Sequence, residues 1–514
     1  MTKIDLNPDF KKALKILEET NLNVFLTGKA GSGKSTFLNY FADKTKKNCV
    51  ILAPTGVAAL NVNGETIHSF FHFNPDITAE EVLKKASKVR KSAPYLYLDI
   101  IIIDEISMVR ADLLDLVDLF LRKVLKNKSP FGGIQMLFIG DLYQLPPVVN
   151  STEKDFFKTE YSSPYFFDAK VIKKTSFKME FIELEKIYRQ KDNKFIAILN
   201  GVRNGTVSQK DLDLLNQQLQ PNFQNNDFIT LTTTNQMANQ INFEKIAKIK
   251  TKSQTYQAQI LGNFRENTYP TEMSLTLKPK AKVMFLNNDP DGLWVNGTLG
   301  IVQKNFHDHV EVKIANEIVT VFPHTWSIKK TFYNQETQNL EREDIGSFTQ
   351  LPLRLSWAIT IHKSQGKTFD QVIIDLGRGT FAHGQAYVAL SRCTSLKGMI
   401  FKKEIKKSHL LIDYKVINFL TSFQYNISEN TCSLTEKVNI LNDAKEKQLL
   451  VEIIYLKAQD IKSKRLITVF NVGQEEYLGK QFLGVQAFCF KKKQKRIFRV
   501  DRILALKIIP KLLV

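Results

Sequence analysis

Residues Asn23 to Thr36 read N-V-F-L-T-G-K-A-G-S-G-K-S-T, and this stretch decides the fold of the first part of the chain. Within it, Gly28 to Ser35 satisfies the pattern G-x-x-x-x-G-K-[ST] between an apolar strand and a helix. The backbone N–H groups of such a loop cradle phosphate, the lysine reaches the β- and γ-phosphates, and the hydroxyl ligates Mg²⁺. A glycine-rich helix start of purely structural use is the alternative. The residues expected around ATP and Mg²⁺ are Gly28, Gly31, Ser32, Gly33, Lys34, Ser35 and Thr36.

Further apolar strands follow this loop, each ending in polar residues. Leu98 to Ile103 is a continuous apolar run, as in a buried parallel strand, and Asp104-Glu105 comes directly after it. Asp104 can hold the Mg²⁺ shell and Glu105 can polarise the attacking water. Gln144 follows a second apolar run and can contact the γ-phosphate. The alternatives are a solvated turn for the acidic pair and a structural turn ended by two prolines, Pro146 and Pro147, for Gln144. Strands that alternate with helices predict a doubly wound α/β domain that hydrolyses ATP.

The strand pattern changes several times along the chain. A second α/β pattern starts at Phe228, breaks off near Ala281 and resumes at Leu353, and turn signals between them predict a small β-barrel insertion. The predicted domains are residues 1–183 with a helical insert at about 73–95, residues 184–430 with the insertion at about 283–348, a linker at 431–447 and a basic, mainly-β domain at 448–514.

The charge of the chain is strongly positive and unevenly spread. There are 72 Lys and Arg against 52 Asp and Glu, a net charge of +20 with a pI of about 9.4. The last 84 residues alone hold 17 basic and 8 acidic residues, a net +9. This favours a polyanionic partner, most often nucleic acid, against a general lysine-rich bias of composition.

Several classes of protein are disfavoured by what the sequence lacks. The four cysteines lie far apart with no C-x-x-C pair, which argues against a disulfide framework or a zinc site and suits a reducing bacterial cytoplasm or nucleoid. No secretory signal is expected at the start, and no apolar run approaches the roughly 18 residues of a membrane span. We therefore expect no membrane partner.

Eight ordered motifs resemble the Pif1 subgroup of the Pif1/RecD-like superfamily-one DNA helicases. They are the loop from Asn23 to Thr36, L-A-P-T-G-V-A-A (52–59), T-I-H-S-F (66–70), I-I-D-E-I-S-M (102–108), G-D-L-Y-Q-L-P-P-V (140–148), E-K-I-Y-R-Q (185–190), W-A-I-T-I-H-K-S-Q-G-K-T (357–368) and Y-V-A-L-S-R (387–392). The match runs over roughly residues 20 to 400. It is far more specific than the phosphate loop alone.

The resemblance implies two RecA-like P-loop domains with ATP between them and single-stranded DNA across their tops. It assigns Lys34, Asp104, Glu105 and Gln144 to one side of the ATP cleft, and Arg189 and Arg392 to the γ-phosphate from the other side. Tyr188 would stack near the adenine, and Gln365 and Gly366 would lie near the nucleotide. The residues that match DNA contacts are Pro54, Thr55, His68, His362, Lys363 and Ser364.

The resemblance also implies movement from 5′ to 3′, a strand-separating wedge at 73–95, DNA forks as partners and a monomer when free. His68 and His362 could instead be ordinary core or helix-cap histidines. One departure concerns Phe10, which stands 18 residues ahead of Gly28 where the family often carries a glutamine that reads adenine. Strict adenine selectivity is therefore not expected.

The basic C-terminal region resembles the WYL domain, a small β-barrel attached to bacterial DNA-processing proteins. The resemblance rests on Tyr455, Arg465, Tyr477-Leu478 and the ending F-R-V-D-R-I, with Glu476 in place of the tryptophan. It implies a DNA or small nucleotide-like ligand, for which Arg465, Arg499 and Arg502 are the candidates. A solvated basic face is the alternative.

Three functions agree with these patterns to different degrees. The first is an ATP-dependent DNA helicase with a C-terminal regulatory or DNA-binding module. The second is a DNA-binding regulator whose ATP cycle switches affinity without unwinding. A P-loop ATPase that acts on proteins is disfavoured by the motifs that match DNA contacts.

Overall fold

The first half of the chain is built on a six-stranded sheet in which every pairing is parallel. The computed structural model describes residues 5–225, 228–264 and 266–509. The strands are β1 (Asn23–Gly28), β2 (Cys49–Ala53), β3 (Glu65–Thr66), β4 (Ile100–Ile103), β5 (Gln135–Ile139) and β6 (Met179–Leu184). Their spatial order is β3-β2-β4-β5-β1-β6. All four isoleucines of β4 are buried, as a central parallel strand requires.

Seven helices accompany this sheet, and together they form the first α/β half. They are α1 (Pro8–Glu19), α2 (Lys34–Lys44), α3 (Gly56–Asn61), α4 (Ile67–Phe70), α5 (Ala79–Ser87), α6 (Ala111–Val124) and α7 (Lys154–Glu160). Phe10 and Leu17 of α1 join one apolar core with residues of β1 and α2. Helix α5 lies in the predicted insert and starts with a capping box between Thr78 and Glu81.

A second α/β half follows and is interrupted by antiparallel strands. Its helices are α8 (Asn193–Asn204), α9 (Gln209–Asn216), α10 (Asn235–Ala247) and α11 (Gln385–Ser391). The strands of this stretch are β7 (Ile229–Thr232), β8 (Gln254–Gln257), β9 (Gln259–Gly262), β10 (Ser274–Leu277), β11 (Lys282–Phe285), β12 (Leu299–Asn305), β13 (Val310–Ile314), β14 (Glu317–Val321), β15 (His324–Asn334), β16 (Asn339–Gln350), β17 (Leu353–Leu355), β18 (Ala358–Thr360), β19 (Val372–Asp375) and β20 (Met399–Phe401). A parallel sheet with the order β18-β7-β19-β20 forms its core.

The interruption consists of antiparallel sheets. One has five strands in the order β14-β13-β12-β11-β17, another joins β15, β16 and β9, and β10 pairs with β8. These strands begin at Gln254, earlier than the predicted start near residue 283. The early start escaped the sequence pattern because β8 is mostly polar and β9 has only two apolar residues, Ile260 and Leu261.

The chain divides into two compact units. One comprises the residues up to Arg203 together with Val207–Leu411, so it holds both α/β halves. The other comprises Asn204–Thr206 and the residues from Ile412 onward. Over the described ranges, no helix has both the length and the apolarity that crossing a bilayer needs.

The C-terminal unit is β-rich and begins with two helices. Its elements are α12 (Tyr414–Thr431), α13 (Leu434–Glu446), β21 (Leu450–Lys457), β22 (Ile461–Tyr477), β23 (Lys480–Cys489), β24 (Gln494–Arg499) and β25 (Ile503–Ile509). The strands form one antiparallel sheet in the order β24-β23-β22-β21-β25.

The predicted linker at 431–447 is wrong, because most of it is helix α13. A capping box between Ser433 and Glu436 starts the helix. Leu441 and Ala444, three residues apart, are buried in the core of this unit together with strand residues such as Val451. The polar composition of the segment concealed this short apolar face.

Candidate nucleotide and nucleic-acid site

The phosphate loop joins the end of β1 to the start of α2. Gly31 and Gly33 have left-handed φ angles of +79° and +91°, and a Cβ on Gly31 would lie 2.5 Å from the Cβ of Arg189. Glycine is therefore required at Gly31. Lys34 Nζ donates to the carbonyls of Gly28 and Lys29 at 2.8 and 3.1 Å, so its amine lies over the loop. Burial lowers the pKa of Lys34, while Asp141 and Glu105 oppose that effect.

The acidic pair lies at the end of β4, as the sequence predicts. Asp104 is 9% exposed, and Glu105 has a left-handed φ of 50°. Burial raises the pKa of Asp104, while Lys34 lowers it. Burial also raises the pKa of Glu105, and the neighbouring Asp104 raises it further. Both carboxyls are therefore electrostatically linked to the lysine of the phosphate loop.

The turn after β5 is organised around the fully buried carboxylate of Asp141. Its Oδ1 accepts from the backbone N–H of Tyr143 at 3.2 Å, and its Oδ2 accepts from Gln144 Nε2 at 3.4 Å. The N–H of Gln144 donates to the carbonyl of Asp141 at 2.9 Å. These bonds fix which way the Gln144 amide faces.

Gln365, in the second α/β half, contacts both Glu105 of the acidic pair and the amide of Gln144. Its Nε2 donates to Glu105 Oε2 at 3.0 Å and to Gln144 Oε1 at 3.2 Å. Gly366, the next residue, has a left-handed φ of +79°. One side chain of the second half therefore reaches two predicted ATP-site residues of the first.

The guanidinium groups of the two predicted arginines, Arg189 and Arg392, both contact Ser391 in the second α/β half. Arg189 Nη1 donates to the carbonyl of Ser391 at 3.1 Å, and burial lowers the pKa of Arg189. Arg392 is 1% exposed, and its Nε donates to the carbonyl of Val388 at 2.9 Å. Burial, and then the charge of Arg189, lowers the pKa of Arg392 to about 9. A half-buried cation, Arg189, and a buried one, Arg392, thus share one region.

Two further groups in this cleft were part of the quoted motifs but were not predicted as site residues. The hydroxyl of Tyr387 accepts from the backbone N–H of Ala30 in the phosphate loop at 3.0 Å. Gln190 is 3% exposed, and its Nε2 donates to the carbonyls of Ser391 and Cys393 at 3.1 and 3.0 Å. Their motif positions, Y-V-A-L-S-R and E-K-I-Y-R-Q, were the available signal. Neither motif says which side chains turn inward.

The start of the chain packs against the phosphate loop. Phe10 is 2% exposed and meets Phe37 edge-on, with ring centroids 5.2 Å apart. It therefore fills core space. Asn7 Nδ2 donates to the hydroxyl of Tyr188 at 3.1 Å, and that hydroxyl donates to Asp5 Oδ2 at 3.0 Å. These groups hold Tyr188, the residue predicted near the adenine.

The residues predicted to contact DNA lie in both α/β halves. Thr55 is exposed, and its Oγ1 accepts from the N–H of Ala58 as the cap of α3, while Pro54 and His68 are half-buried. Lys363 is exposed, although partial burial and Arg354 lower its pKa. These placements leave Thr55 and Lys363 accessible to a strand.

Ser364 and His362 are less accessible than a direct contact would favour. Ser364 is fully buried, and its Oγ donates to the carbonyl of Ile361 at 2.7 Å. The hydroxyl therefore closes a turn in this structure, and a DNA contact by Ser364 stays a prediction. His362 is half-buried, and burial lowers its pKa, which favours the neutral imidazole.

A cavity of about 400 Å³ opens beside Lys363 in the second α/β half. Its lining is polar and includes Asn235, Asn239, Tyr269, Arg354 and Lys363. The amide, phenol and cationic groups suit a sugar-phosphate backbone, whereas Glu266 and Glu272 in the same lining would repel it.

A sequence profile of the PIF1-like helicases matches residues 6–213. The ATP-dependent DNA helicase Pif1 of Bdellovibrio bacteriovorus is 33% identical over 431 residues, covering 82% of this chain and 93% of that protein. The chain belongs to the PIF1-like helicase family. The human ATP-dependent DNA helicase PIF1 is also 33% identical, over 73% of this chain and 58% of the human protein.

Solved structures of PIF1-like helicases match the fold as well. The crystal structure of Bacteroides sp Pif1 in complex with ADP-AlF4 has a TM-score of 0.75 and 38% identity, covering 82% of this chain and 97% of that chain. Bacteroides Pif1 bound to ssDNA has a TM-score of 0.58 and 37% identity, covering 81% and 96% of the two chains. The predicted family and the α/β core with parallel sheets are thereby confirmed.

The basic residues predicted in the C-terminal unit differ in their surroundings. Arg465 is 8% exposed, its Nε donates to Ser463 Oγ at 3.3 Å, and within the described residues its Nη1 has no hydrogen-bond partner. Arg499 instead forms a two-bond ion pair with Asp501 at 3.1 and 2.6 Å. Arg502 lies in a short helical turn beside them.

Arg465 lines a cavity of about 310 Å³ in this unit. The other lining residues are Tyr455, Lys457, Arg496, Ile497 and Phe498. The rings of Tyr455 and Phe498 meet edge-on at 5.2 Å. Burial lowers the pKa of Lys457, and Arg465, Lys492, Arg496 and Lys491 lower it further. Lys457 and Arg496 are the residues that the sequence prediction missed, because they come from different strands.

Proposed function

We propose that this protein is an ATP-dependent DNA helicase that moves along single-stranded DNA and separates the duplex ahead of it. The observation that carries the proposal is the bridge from Gln365 to Glu105 and Gln144. Gln365 directly follows the segment His362–Ser364, which resembles the family's DNA-contacting motif. Because the chain is continuous, a shift of that segment on DNA displaces the amide in the ATP cleft. Binding and hydrolysis are thereby coupled.

The buried groups of the cleft have distinct proposed roles. Lys34 neutralises charge on the β- and γ-phosphates, Glu105 polarises the attacking water, and Gln144 contacts the γ-phosphate. Arg189 and Arg392 stabilise the charge that develops on the transferred group. The support is that Arg392 is buried and Arg189 half-buried, and that the partners named above are neutral carbonyl oxygens. A polyanion would relieve the cost of burying them side by side.

Loss of the γ-phosphate removes what holds the arginines of the second half against the first half. The cleft can then reopen, and alternating closure and opening moves the protein along the strand.

Tyr188 would stack on the base of the nucleotide. Since Phe10 offers no polar group there, we infer weak discrimination between ATP and other nucleoside triphosphates, with relative turnover of GTP and ATP as the measurement.

Mg²⁺ fits the donor set at the head of the cleft. The exposed Ser35 hydroxyl and the Asp104 carboxylate are hard oxygen donors, and Mg²⁺ is usually held by one or two such groups together with nucleotide phosphates. No cluster of three or more His, Cys, Asp or Glu side chains within the described residues offers a different metal site. When bound, Mg²⁺ would neutralise charge on the β- and γ-oxygens.

The DNA path and its direction are also proposals. Pro54, Thr55 and His68 would hold the strand from the first half, and His362 and Lys363 from the second. The segment 73–95 would act as the wedge at a fork, and the antiparallel sheets would form the barrel insertion. Movement from 5′ to 3′, a monomer when free and a cytoplasmic or nucleoid location follow from the family resemblance and composition and stay predictions.

Unwinding of forked DNA tests the proposal directly. Duplexes with either a 5′ or a 3′ single-stranded tail are incubated with ATP and Mg²⁺, and strand separation is followed by fluorescence. We expect separation of the 5′-tailed substrate only, and none by Lys34→Ala. Tight strand binding without separation of either substrate would favour a regulator whose ATP cycle only switches affinity.

We further propose that the C-terminal unit binds a phosphate-bearing ligand, DNA or a nucleotide, as its WYL-like sequence suggests. The cavity supports this because four of its six lining residues are cationic or carry a phenol. Among the described residues, Nη1 of Arg465 has no hydrogen-bond partner, and the cations around Lys457 repel its charge. A bound anion would satisfy the first group and offset the repulsion on the second. Arg499 is the weaker candidate, because Asp501 already neutralises it.

The salt dependence of oligothymidine binding separates these two arginines. Arg465→Met should weaken binding by the full chain and reduce the slope of log affinity against log salt by about 1. Arg499→Met serves as the matched control and should leave the slope unchanged. Equal slopes for the wild type and Arg465→Met would remove Arg465 from the DNA interface.

A further inference from the structure

We infer that Arg203 is a positioning residue for ATP hydrolysis, which holds Asp141 so that the Gln144 amide faces Gln365 in the ATP cleft. The inference rests on the proposed helicase function and assigns a role to a residue outside the eight family motifs. Arg203 lies on α8, and Asp141 lies 62 positions earlier, in the turn after β5. The packing of the two α/β halves brings them together.

The two side chains form a buried ion pair. Arg203 Nη2 donates to Asp141 Oδ1 at 3.3 Å, with 3% and 0% of the two side chains exposed. The guanidinium also lies over the ring of Tyr143, 4.0 Å from its centroid. Arginine suits this place because its flat guanidinium can stack on a ring and donate a bond at the same time.

A buried ion pair alone is weak evidence for stability, because desolvation offsets much of its attraction. This pair differs from an isolated one because the second carboxylate oxygen of Asp141, Oδ2, also takes part in a contact. Oδ2 accepts from Gln144 Nε2, so Oε1 of Gln144 is free to face Gln365. The order of contacts is therefore Arg203, Asp141, Gln144, Gln365 and Glu105.

Charge gives a second reason for a cation at this position. An unneutralised Asp141 beside the phosphate loop would repel the nucleotide's phosphates. Burial lowers the pKa of Lys29 in that loop, Arg203 lowers it further, and Asp141 opposes them. Arg203 and Asp141 therefore shift the pKa of Lys29 in opposite directions. Loss of Arg203 would leave the negative charge of Asp141 beside the loop without this cation.

Steady-state ATPase kinetics with oligothymidine test this role. Arg203→Met should reduce kcat by about 10- to 100-fold, the size expected when contacting groups are uncoupled, with KM for ATP changed less than about threefold. Arg203→Lys should recover part of kcat. Binding of oligothymidine without nucleotide should equal that of the wild type.

A double-mutant cycle separates positioning from folding. If Arg203 acts through Asp141, Asp141→Asn combined with Arg203→Met should be no slower than Arg203→Met alone. Arg122→Met is the matched control, because it removes an Arg–Asp pair on α6 with a 2.8 Å bond to Asp118. Thermal unfolding of each variant shows whether it is folded.

Three results would overturn the inference. The first is a kcat of Arg203→Met within twofold of the wild type. The second is a double variant whose loss of kcat equals the product of the two single losses. The third is a loss of kcat in Arg122→Met as large as that in Arg203→Met. Failure of the wild type to unwind forked DNA would instead contradict the proposed function and leave the ATPase comparison intact.

Discussion

Gln365 Nε2 donates to Glu105 Oε2 across 3.0 Å, although 260 positions separate the two residues. The same nitrogen donates to Gln144 Oε1 at 3.2 Å. Since Gln365 directly follows the segment His362–Ser364, which resembles a DNA-contacting motif, this amide links the proposed DNA path to the ATP cleft.

Gln365→Ala should separate the two activities of the protein. Without the amide, Glu105 and Gln144 lose their contact with the second half, so oligothymidine should stimulate ATP hydrolysis at most about twofold over the variant's own basal rate. Rates with and without oligothymidine measure this. Gln303→Ala, on the antiparallel strand β12, is the control and should keep full stimulation. Undiminished stimulation of Gln365→Ala would remove the bridge from the coupling.

Lys34→Ala should reduce DNA-stimulated ATP hydrolysis by about 10³-fold or more, because the positive charge over the phosphate loop is lost. Oligothymidine affinity without nucleotide should not change, since the lysine bonds only loop carbonyls. Phosphate release and fluorescence anisotropy check the two parts. Lys44→Ala, at the exposed end of α2, is the control. Retained turnover would exclude the loop from the mechanism.

Arg392→Ala should bind ATP but hydrolyse it about 10³-fold more slowly, because the guanidinium acts on charge that develops in the transition state. A fluorescent ATP analogue gives the affinity and single-turnover kinetics give the rate. Arg342→Ala is a suitable control, since its guanidinium donates to the carbonyl of Asn63 on the protein surface. A rate equal to that of the wild type would reject the proposed role.

Gly384→Ala should impair ATP hydrolysis through the backbone alone. Gly384 precedes α11 with a φ of +75°, and a Cβ there would lie 2.1 Å from the carbonyl oxygen of Gln144. The turn that holds Gln144 must therefore move, and we expect at least a tenfold loss of kcat.

Gly292→Ala provides the matched control for that variant. Its φ is +79°, yet nothing lies within 4 Å of the position a Cβ would take. Both variants carry the same backbone strain, and only Gly384→Ala adds the collision with the site. Equal kcat values in the two variants would contradict the predicted contact.

Asp118→Ala should destabilise the protein by about 2 kcal/mol without changing KM for ATP. Its carboxylate is 3% exposed, pairs with Arg122 and Lys174, and accepts from the N–H of Phe131 at 2.7 Å. Removing it leaves the buried N–H of Phe131 without its acceptor, whereas Arg122 and Lys174, 32% and 37% exposed, can be solvated instead. Urea unfolding measures the change, and Asp155→Ala in an exposed pair should show none. An unchanged midpoint for Asp118→Ala would be the contrary result.

Much of the fold and of the cleft could be predicted because its signals are local. A strand, a glycine loop and a helix start are adjacent in the chain, so spacing alone predicted the phosphate loop and the acidic pair after β4. The differences between the sequence prediction and the structure also have physical causes. The linker contained a helix because Leu441 and Ala444 form an apolar face too short to stand out, and Ser364 turns inward to close a turn.

The sequence by itself determined the family, the phosphate loop, the parallel α/β core and the basic character of the C-terminal region, since each depends on neighbouring residues. Only the tertiary structure decided that Gln365 meets Glu105, that Arg203 neutralises Asp141, and that Arg465 and Arg496 share a cavity while Arg499 pairs with Asp501. The reason is that such contacts join strands and helices far apart in the chain. Their partners are selected by packing and by the need to satisfy buried charge, neither of which leaves a local pattern.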